Sequence, residues 1–200
     1  WRTSVLSAPL GTSHWVQVTG DSRLWQPNAN AHGVVFVVLH SPLSMLFYDS
    51  LRAGGVRANL VMGADATGRI LRTEIGKGVY ASHMELAAGG SVIIAGDGRQ
   101  GQGGIGMPFF GGERWFRTGA ATLAALTGAP MAPVFAQLAA TGEVQFEVCE
   151  PLERGPGDVE TQILTLTRRY AELVVRRWPQ VYTSLWHDAL KQALLSALEE

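Results

Sequence analysis

Residues Val34-Val35-Phe36-Val37-Val38-Leu39-His40-Ser41-Pro42 decide how this chain is read. Six successive apolar residues after Gly33 leave no position to face water, so the run predicts a strand buried on both faces. Strands of that kind belong to parallel or mixed sheets covered by helices. Ser41 suits a helix N-cap, and Pro42 the first helical position, where a missing N–H costs nothing. The strand therefore delivers an imidazole to the edge of the sheet, with a helix starting directly after it. His40 at that edge is a functional candidate, set against the alternative of a core histidine bonded to backbone.

Outward from this strand, the pattern alternates. The segment from His14 to Val18 reads as a strand, Gly20 to Asn30 as a loop or short irregular helix, and Leu43 to Leu51 as a helix stopped at Gly54-Gly55. Val56 to Met62 and Ser91 to Ala95 read as strands, with a helix over Tyr80 to Ala88 between them. Thr118 to Leu126 predicts an alanine-rich helix ended by Thr127-Gly128-Ala129-Pro130, and Met131 to Leu138 with Glu143 to Val148 predicts an antiparallel pair joined near Gly142. Val159, Ile163, Leu166, Tyr170, Leu173 and Val174 recur at helical spacing after Asp158, a candidate cap, and Pro179 ends the run. Arg168, Arg169, Arg176 and Arg177 fall on the other side of that helix. Such a run is read first as a solvated face, and second as a contact for anionic lipid or an acidic carrier. The expected fold class is α/β, one domain over residues 1–200.

Composition narrows the function. A net charge of −1 and scattered arginines give no electrostatic footprint for nucleic acid. Cys149 is the only cysteine, so neither a disulfide framework nor a thiolate metal site is expected, and the thiol reads as a core filler. No apolar stretch reaches the roughly 20 residues of a spanning helix. Trp1 stands where an initiating Met is usual, which is compatible with a removed upstream, membrane-anchoring segment.

The glycines gather after the strand ending at Ala95, in Gly96-Asp97-Gly98-Arg99-Gln100-Gly101-Gln102-Gly103-Gly104-Ile105-Gly106. The first six residues satisfy the GxGxxG pattern, but a dinucleotide fold needs a helix to begin inside the motif. This segment instead runs through more glycines into Met107-Pro108-Phe109-Phe110, so the preferred reading is a flexible loop beside the His40 edge. A nucleotide-binding domain remains the third-ranked alternative. There is no GxSxG elbow and no phosphate loop. The histidines His14, His32, His40, His83 and His187 show no HExxH spacing, so no metal is expected, and His32, His83 and His187 are assigned structural or solvent roles.

The strand ending in His40 is followed in order by Ala95-Gly96-Asp97-Gly98, Gly104-Ile105-Gly106-Met107-Pro108-Phe109-Phe110-Gly111, Arg117-Thr118-Gly119-Ala120-Ala121-Thr122-Leu123-Ala124 and Thr127-Gly128-Ala129-Pro130-Met131-Ala132-Pro133-Val134-Phe135. As an ordered set, these segments resemble the lauroyl/myristoyl acyltransferases of lipid A biosynthesis, within the lysophospholipid acyltransferase superfamily. The resemblance spans residues 15–186, closing on Pro179-Gln180-Val181-Tyr182 and Leu185-Trp186. It implies a mixed, mostly parallel β-sheet flanked by helices, the αβα fold of glycerol-3-phosphate acyltransferases. It also implies transfer of a fatty acyl group from acyl carrier protein or coenzyme A to a hydroxyl or amine of a lipid. No cofactor beyond that thioester co-substrate is implied, and the implied setting is peripheral, on the cytoplasmic face of the bacterial inner membrane.

The family pairs a histidine with an acid five residues on. His40 matches the first half, while the second position is Met45. Asp49, one helical turn beyond Met45, is poorly placed to substitute. The leading expectation is an active, divergent acyltransferase with His40 as base, either alone or with an acid from elsewhere such as Asp97. The resemblance implies substrate contacts at Arg99, Phe109, Phe110, Gly111, Arg117 and Thr118. The family's arginine-containing motif after the third strand is absent, where Val61-Met62-Gly63-Ala64-Asp65 stands instead. The runner-up is a non-catalytic relative that binds acyl chains as an accessory protein.

Overall fold

The structure, a computed structural model, describes residues 16–25, 33–41, 43–61, 79–97, 103–109, 111–139 and 143–177. Its elements run β1 (Val16–Gly20), a 3-10 turn (Ser22–Leu24), β2 (Val35–Val38), α1 (Leu43–Ala53), β3 (Ala58–Val61), α2 (Val79–Ala87) and β4 (Ser91–Ala95). They continue with β5 (Gly104–Phe109), β6 (Gly112–Arg117), α3 (Gly119–Thr127), β7 (Met131–Leu138), β8 (Val144–Val148) and α4 (Val159–Arg177). One sheet has six strands in the order β1-β8-β7-β2-β4-β3, and β5 and β6 form a separate hairpin. All neighbours in the large sheet pair in parallel except β7 and β8, the antiparallel element expected near the end of the chain. This is the mixed, mostly parallel α/β architecture.

β2 lies inside the sheet between β7 and β4, and its uninterrupted apolar sequence is explained by two covered faces. Val35, Val37 and Leu39 join a cluster with Leu123 of α3 and Leu166 and Tyr170 of α4. Val34, Phe36 and Val38 join the opposite cluster, with Phe47, Tyr48 and Leu51 of α1 and Phe146 of β8. Each such side chain contributes roughly 1.5–3 kcal/mol over its exposed state. A polar residue anywhere in β2 would therefore be buried without recourse to water.

The helix boundaries follow the sequence. Ser41 Oγ accepts the Leu43 N–H at 3.1 Å, and α1 stops where the Val56 N–H bonds back to the Leu51 carbonyl around Gly55, whose φ is +79°. Asp158 caps α4 by accepting the Thr161 N–H at 2.8 Å. Val159, assigned from its spacing to the buried stripe, is instead exposed. It stands in the first turn of α4, and the fully buried positions of that helix begin only at Leu166. Two of the α4 arginines are structural: Arg177 forks onto Glu147 with both contacts at 2.6 Å, and Arg169 pairs with Glu153. Arg168 and Arg176 face solvent. Cys149 packs at the margin of the α3–α4 cluster, and burial pushes its thiol up to about 11.

The glycine-rich segment departs from the sequence reading. It was expected to remain loop through Gly106, yet Gly104–Phe109 forms a strand paired with Gly112–Arg117. Its glycines serve close packing: a Cβ on Gly106 would meet the Glu113 carboxylate at 2.1 Å, and one on Gly104 the Phe116 carbonyl oxygen at 2.7 Å. Pro108 is tolerated because it sits exposed in a two-stranded ribbon, where a missing donor leaves no ladder open. No helix begins within the described part of the segment, and the next one starts at Gly119.

One glycine positions the end of β4. The Tyr170 hydroxyl reaches from α4 to donate to the Val38 carbonyl at 3.0 Å, with its ring lying against Gly96. A Cβ at Gly96 would fall 2.3 Å from that ring and 2.8 Å from Val37. Gly96→Ala is therefore expected to destabilise the protein by about 1–3 kcal/mol, the usual cost of overpacking. Urea denaturation checks this, and an unchanged midpoint would show that the ring does not hold that position.

Candidate functional site

Parallel pairing brings two chemical groups to one edge. Val38 of β2 lies opposite Ala95 of β4, and the chains stay in step past the strands, with the Gly96 N–H donating to the Val38 carbonyl at 3.0 Å. His40 and Asp97 thereby become neighbours although 57 residues separate them. Asp97 Oδ1 accepts the His40 main-chain N–H at 2.6 Å, a short charge-assisted bond. The Asp97 side chain is fully buried, whereas His40 is exposed at the carboxyl edge of the sheet. Ligands of open α/β sheets bind outside that edge.

The hairpin and α3 close on the same place. The Arg117 N–H donates to the Gly96 carbonyl at 2.8 Å, which ties the end of β6 to the end of β4. Thr118 follows at the N-cap position of α3, where its side chain makes no capping bond and lies beside Gly103. Arg114 of β6 brings a guanidinium nitrogen to 3.8 Å from Asp97 Oδ2. That oxygen is buried and has no hydrogen-bond partner among the described residues. Burial pushes the Asp97 carboxyl up, opposed by the His40 N–H bond and by the charges of Arg114 and His40.

The residues named from sequence distribute as follows. His40, Asp97, Arg117 and Thr118 converge on this edge. Phe109 ends β5 and packs half-buried against the α3–α4 cluster, and Gly111 forms the hairpin turn with φ +77°. Arg99 and Phe110 lie outside the described residues, as do His14, His32, Pro42, Met62, Gly142, Pro179 and His187. His83 is exposed on α2. Asp49, the alternative acid, is half-buried on α1, and burial pushes its carboxyl up. Among the described residues, no hydrogen bond or ion pair joins it to His40. Arg114 and Tyr170 escaped the sequence reading as parts of the site. Arg114 carried no signal without the hairpin register, and Tyr170 looked only like one more residue of a core stripe.

Beside the strand that leads into His40, a shallow recess is lined by Val38, Leu39, Ser44, Val134, Ala136 and Phe146, five of them apolar. Among the described residues, no helix is long and apolar enough to cross a membrane.

A buried acid with a raised titration point makes stability depend on pH. The folded state holds the Asp97 proton more tightly than the unfolded chain does, so stability falls as pH rises from the ordinary aspartate range near 3.8 through the higher folded value. Asp97→Asn keeps an oxygen for the His40 N–H and removes this loss. Its urea midpoint at pH 7 is expected to equal or exceed that of the parent, with the difference shrinking toward pH 4. A variant much less stable at pH 7 and equally so at pH 4 would contradict the assignment.

A family model described as bacterial lipid A biosynthesis acyltransferase matches residues 82–191, more than half of the chain. No curated protein matches the chain. The matched segment takes in β4, Asp97, the hairpin, α3, β7, β8 and α4, and His40 precedes it. The chain belongs to the bacterial lipid A biosynthesis acyltransferase family.

Proposed function

We propose that the protein transfers a fatty acyl group from the thioester of acyl carrier protein or coenzyme A to a hydroxyl or amine of a lipid acceptor, with His40 as general base. The observation that carries this reading is the exposed imidazole at the carboxyl edge of β2, fixed through its own main chain by a buried carboxylate. In this reaction the imidazole takes the proton from the acceptor as its oxygen or nitrogen attacks the thioester carbonyl. The tetrahedral intermediate collapses with loss of the C–S bond, and the thiolate recovers the proton from the imidazolium. Asp97 is the positioning residue. It holds the His40 main chain, and its negative charge balances the positive charge that develops on the ring.

The surroundings supply the remaining parts. The recess along Val38, Leu39 and Phe146 is apolar but no larger than about one water molecule, so an acyl chain entering there would have to widen it. Of the residues expected to contact substrate, Arg117 and Thr118 stand at this edge and are assigned to the donor side. The exposed Arg168 and Arg176 suit an acidic carrier or anionic headgroups. This fits a peripheral position at the cytoplasmic face of the inner membrane.

Mass spectrometry of acyl transfer, across a panel of acyl-coenzyme A and acyl carrier protein donors with lipid acceptors, tests the reading. His40→Ala is expected to lower turnover by about 10²–10⁴-fold, the usual contribution of a positioned base, and Asp97→Asn by about a hundredfold. Equal turnover in His40→Ala would remove the imidazole from the chemistry. Acyl-chain binding with no transfer to any acceptor would favour the accessory role that Met45 suggests.

A further inference from the structure

The hairpin has a purpose beyond covering the core. β5 and β6 form their own two-stranded sheet, and the register that pairs Met107 with Arg114 sets a guanidinium over the sheet edge. There it meets Asp97, whose side chain is fully buried while that of Arg114 is 19% exposed. The separation of 3.8 Å between Arg114 Nη2 and Asp97 Oδ2 is too long for a hydrogen bond but well within the reach of a charge in a largely dry setting. The second carboxylate oxygen holds the His40 N–H.

Among the described residues, the titratable groups that face Asp97 come from three directions. His40 stands at the end of β2, Arg114 on β6 and the buried Tyr170 hydroxyl on α4. His40 carries a proton for only part of the proposed cycle, and a buried tyrosine supplies no positive charge. Arg114 alone of the three is cationic throughout, because a guanidinium stays protonated.

We propose that Arg114 is a positioning residue of the site, delivered by the β5–β6 hairpin to keep the Asp97 carboxylate ionised beneath His40. The hairpin then couples cover and chemistry. The same hairpin that helps to keep Asp97 from water brings the guanidinium whose charge favours the ionised carboxylate that the His40 imidazolium needs. The proposal rests on the His40–Asp97 reading for its catalytic consequence, and on geometry alone for the charge coupling.

Carbon-13 NMR of the Asp97 carboxyl in the full chain, assigned by loss of its resonance in Asp97→Asn, separates the two. In Arg114→Gln the Asp97 midpoint is expected to rise by about one pH unit, the scale on which an adjacent arginine acts, with Arg114→Lys restoring most of it. Arg114→Met, which keeps the aliphatic stem, serves the same comparison if the glutamine variant does not fold. The acid limb of acyl transfer from acyl-coenzyme A should move to higher pH in the same variants. An unchanged Asp97 midpoint in Arg114→Gln or Arg114→Met would overturn the proposal, and so would a shifted midpoint with an unmoved rate profile in a protein that needs His40. If His40→Ala were fully active, the base reading would fall, and the NMR midpoint would still decide the charge coupling.

Discussion

The bond from the His40 main-chain N–H to the Asp97 carboxylate is the constraint on which the site depends. It joins the ends of β2 and β4, which touch only because the sheet pairs them in parallel and in step. The bond holds His40 by its backbone and leaves the residue exposed at the edge of the sheet. It also takes a carboxylate out of water, which is unfavourable unless other groups compensate. The Arg114 guanidinium and the His40 N–H bond offset part of that cost.

The scaffold around this bond is built to hold it. Tyr170 crosses from α4 to the Val38 carbonyl, two residues before His40, and does so over a glycine that leaves room for its ring. The Arg117 N–H closes on the Gly96 carbonyl, one residue before Asp97. Each partner in the His40–Asp97 contact is thus pinned from its own side, one by a helix and one by the hairpin. The fork between Arg177 and Glu147, together with the Arg177 guanidinium 5.4 Å from the centre of the Phe135 ring, fastens the far end of α4 to β7 and β8.

Much of this was legible in the residues. The unbroken apolar run of β2 required two covered faces, and the period of α4, the alanine-rich α3 and the start and stop residues around α1, α3 and α4 located the helices. His40 could be placed at the sheet edge from its neighbours alone. The hairpin was not legible, because glycines and a proline argue against a strand wherever ordinary propensity is the guide. Here those glycines accommodate cross-strand neighbours such as Glu113 and Phe116, which only the pairing register reveals. Asp97 could be named beside His40 as an acid from elsewhere, but not how it would act. That it holds the main chain and sits under Arg114 depends on contacts 57 and 17 residues apart along the sequence. Val159 shows the opposite error, a residue with the right spacing in a turn that the core does not reach.

The most direct test of the central claim is where a donor binds. Amide NMR of the full chain, titrated with a non-hydrolysable alkyl thioether of coenzyme A, reports on each residue at the sheet edge. The account predicts saturable shifts centred on His40, Gly96, Asp97, Arg117 and Thr118, reaching into Val38 and Leu39 along the recess. Saturable shifts confined to another face, with those amides unmoved, would contradict it.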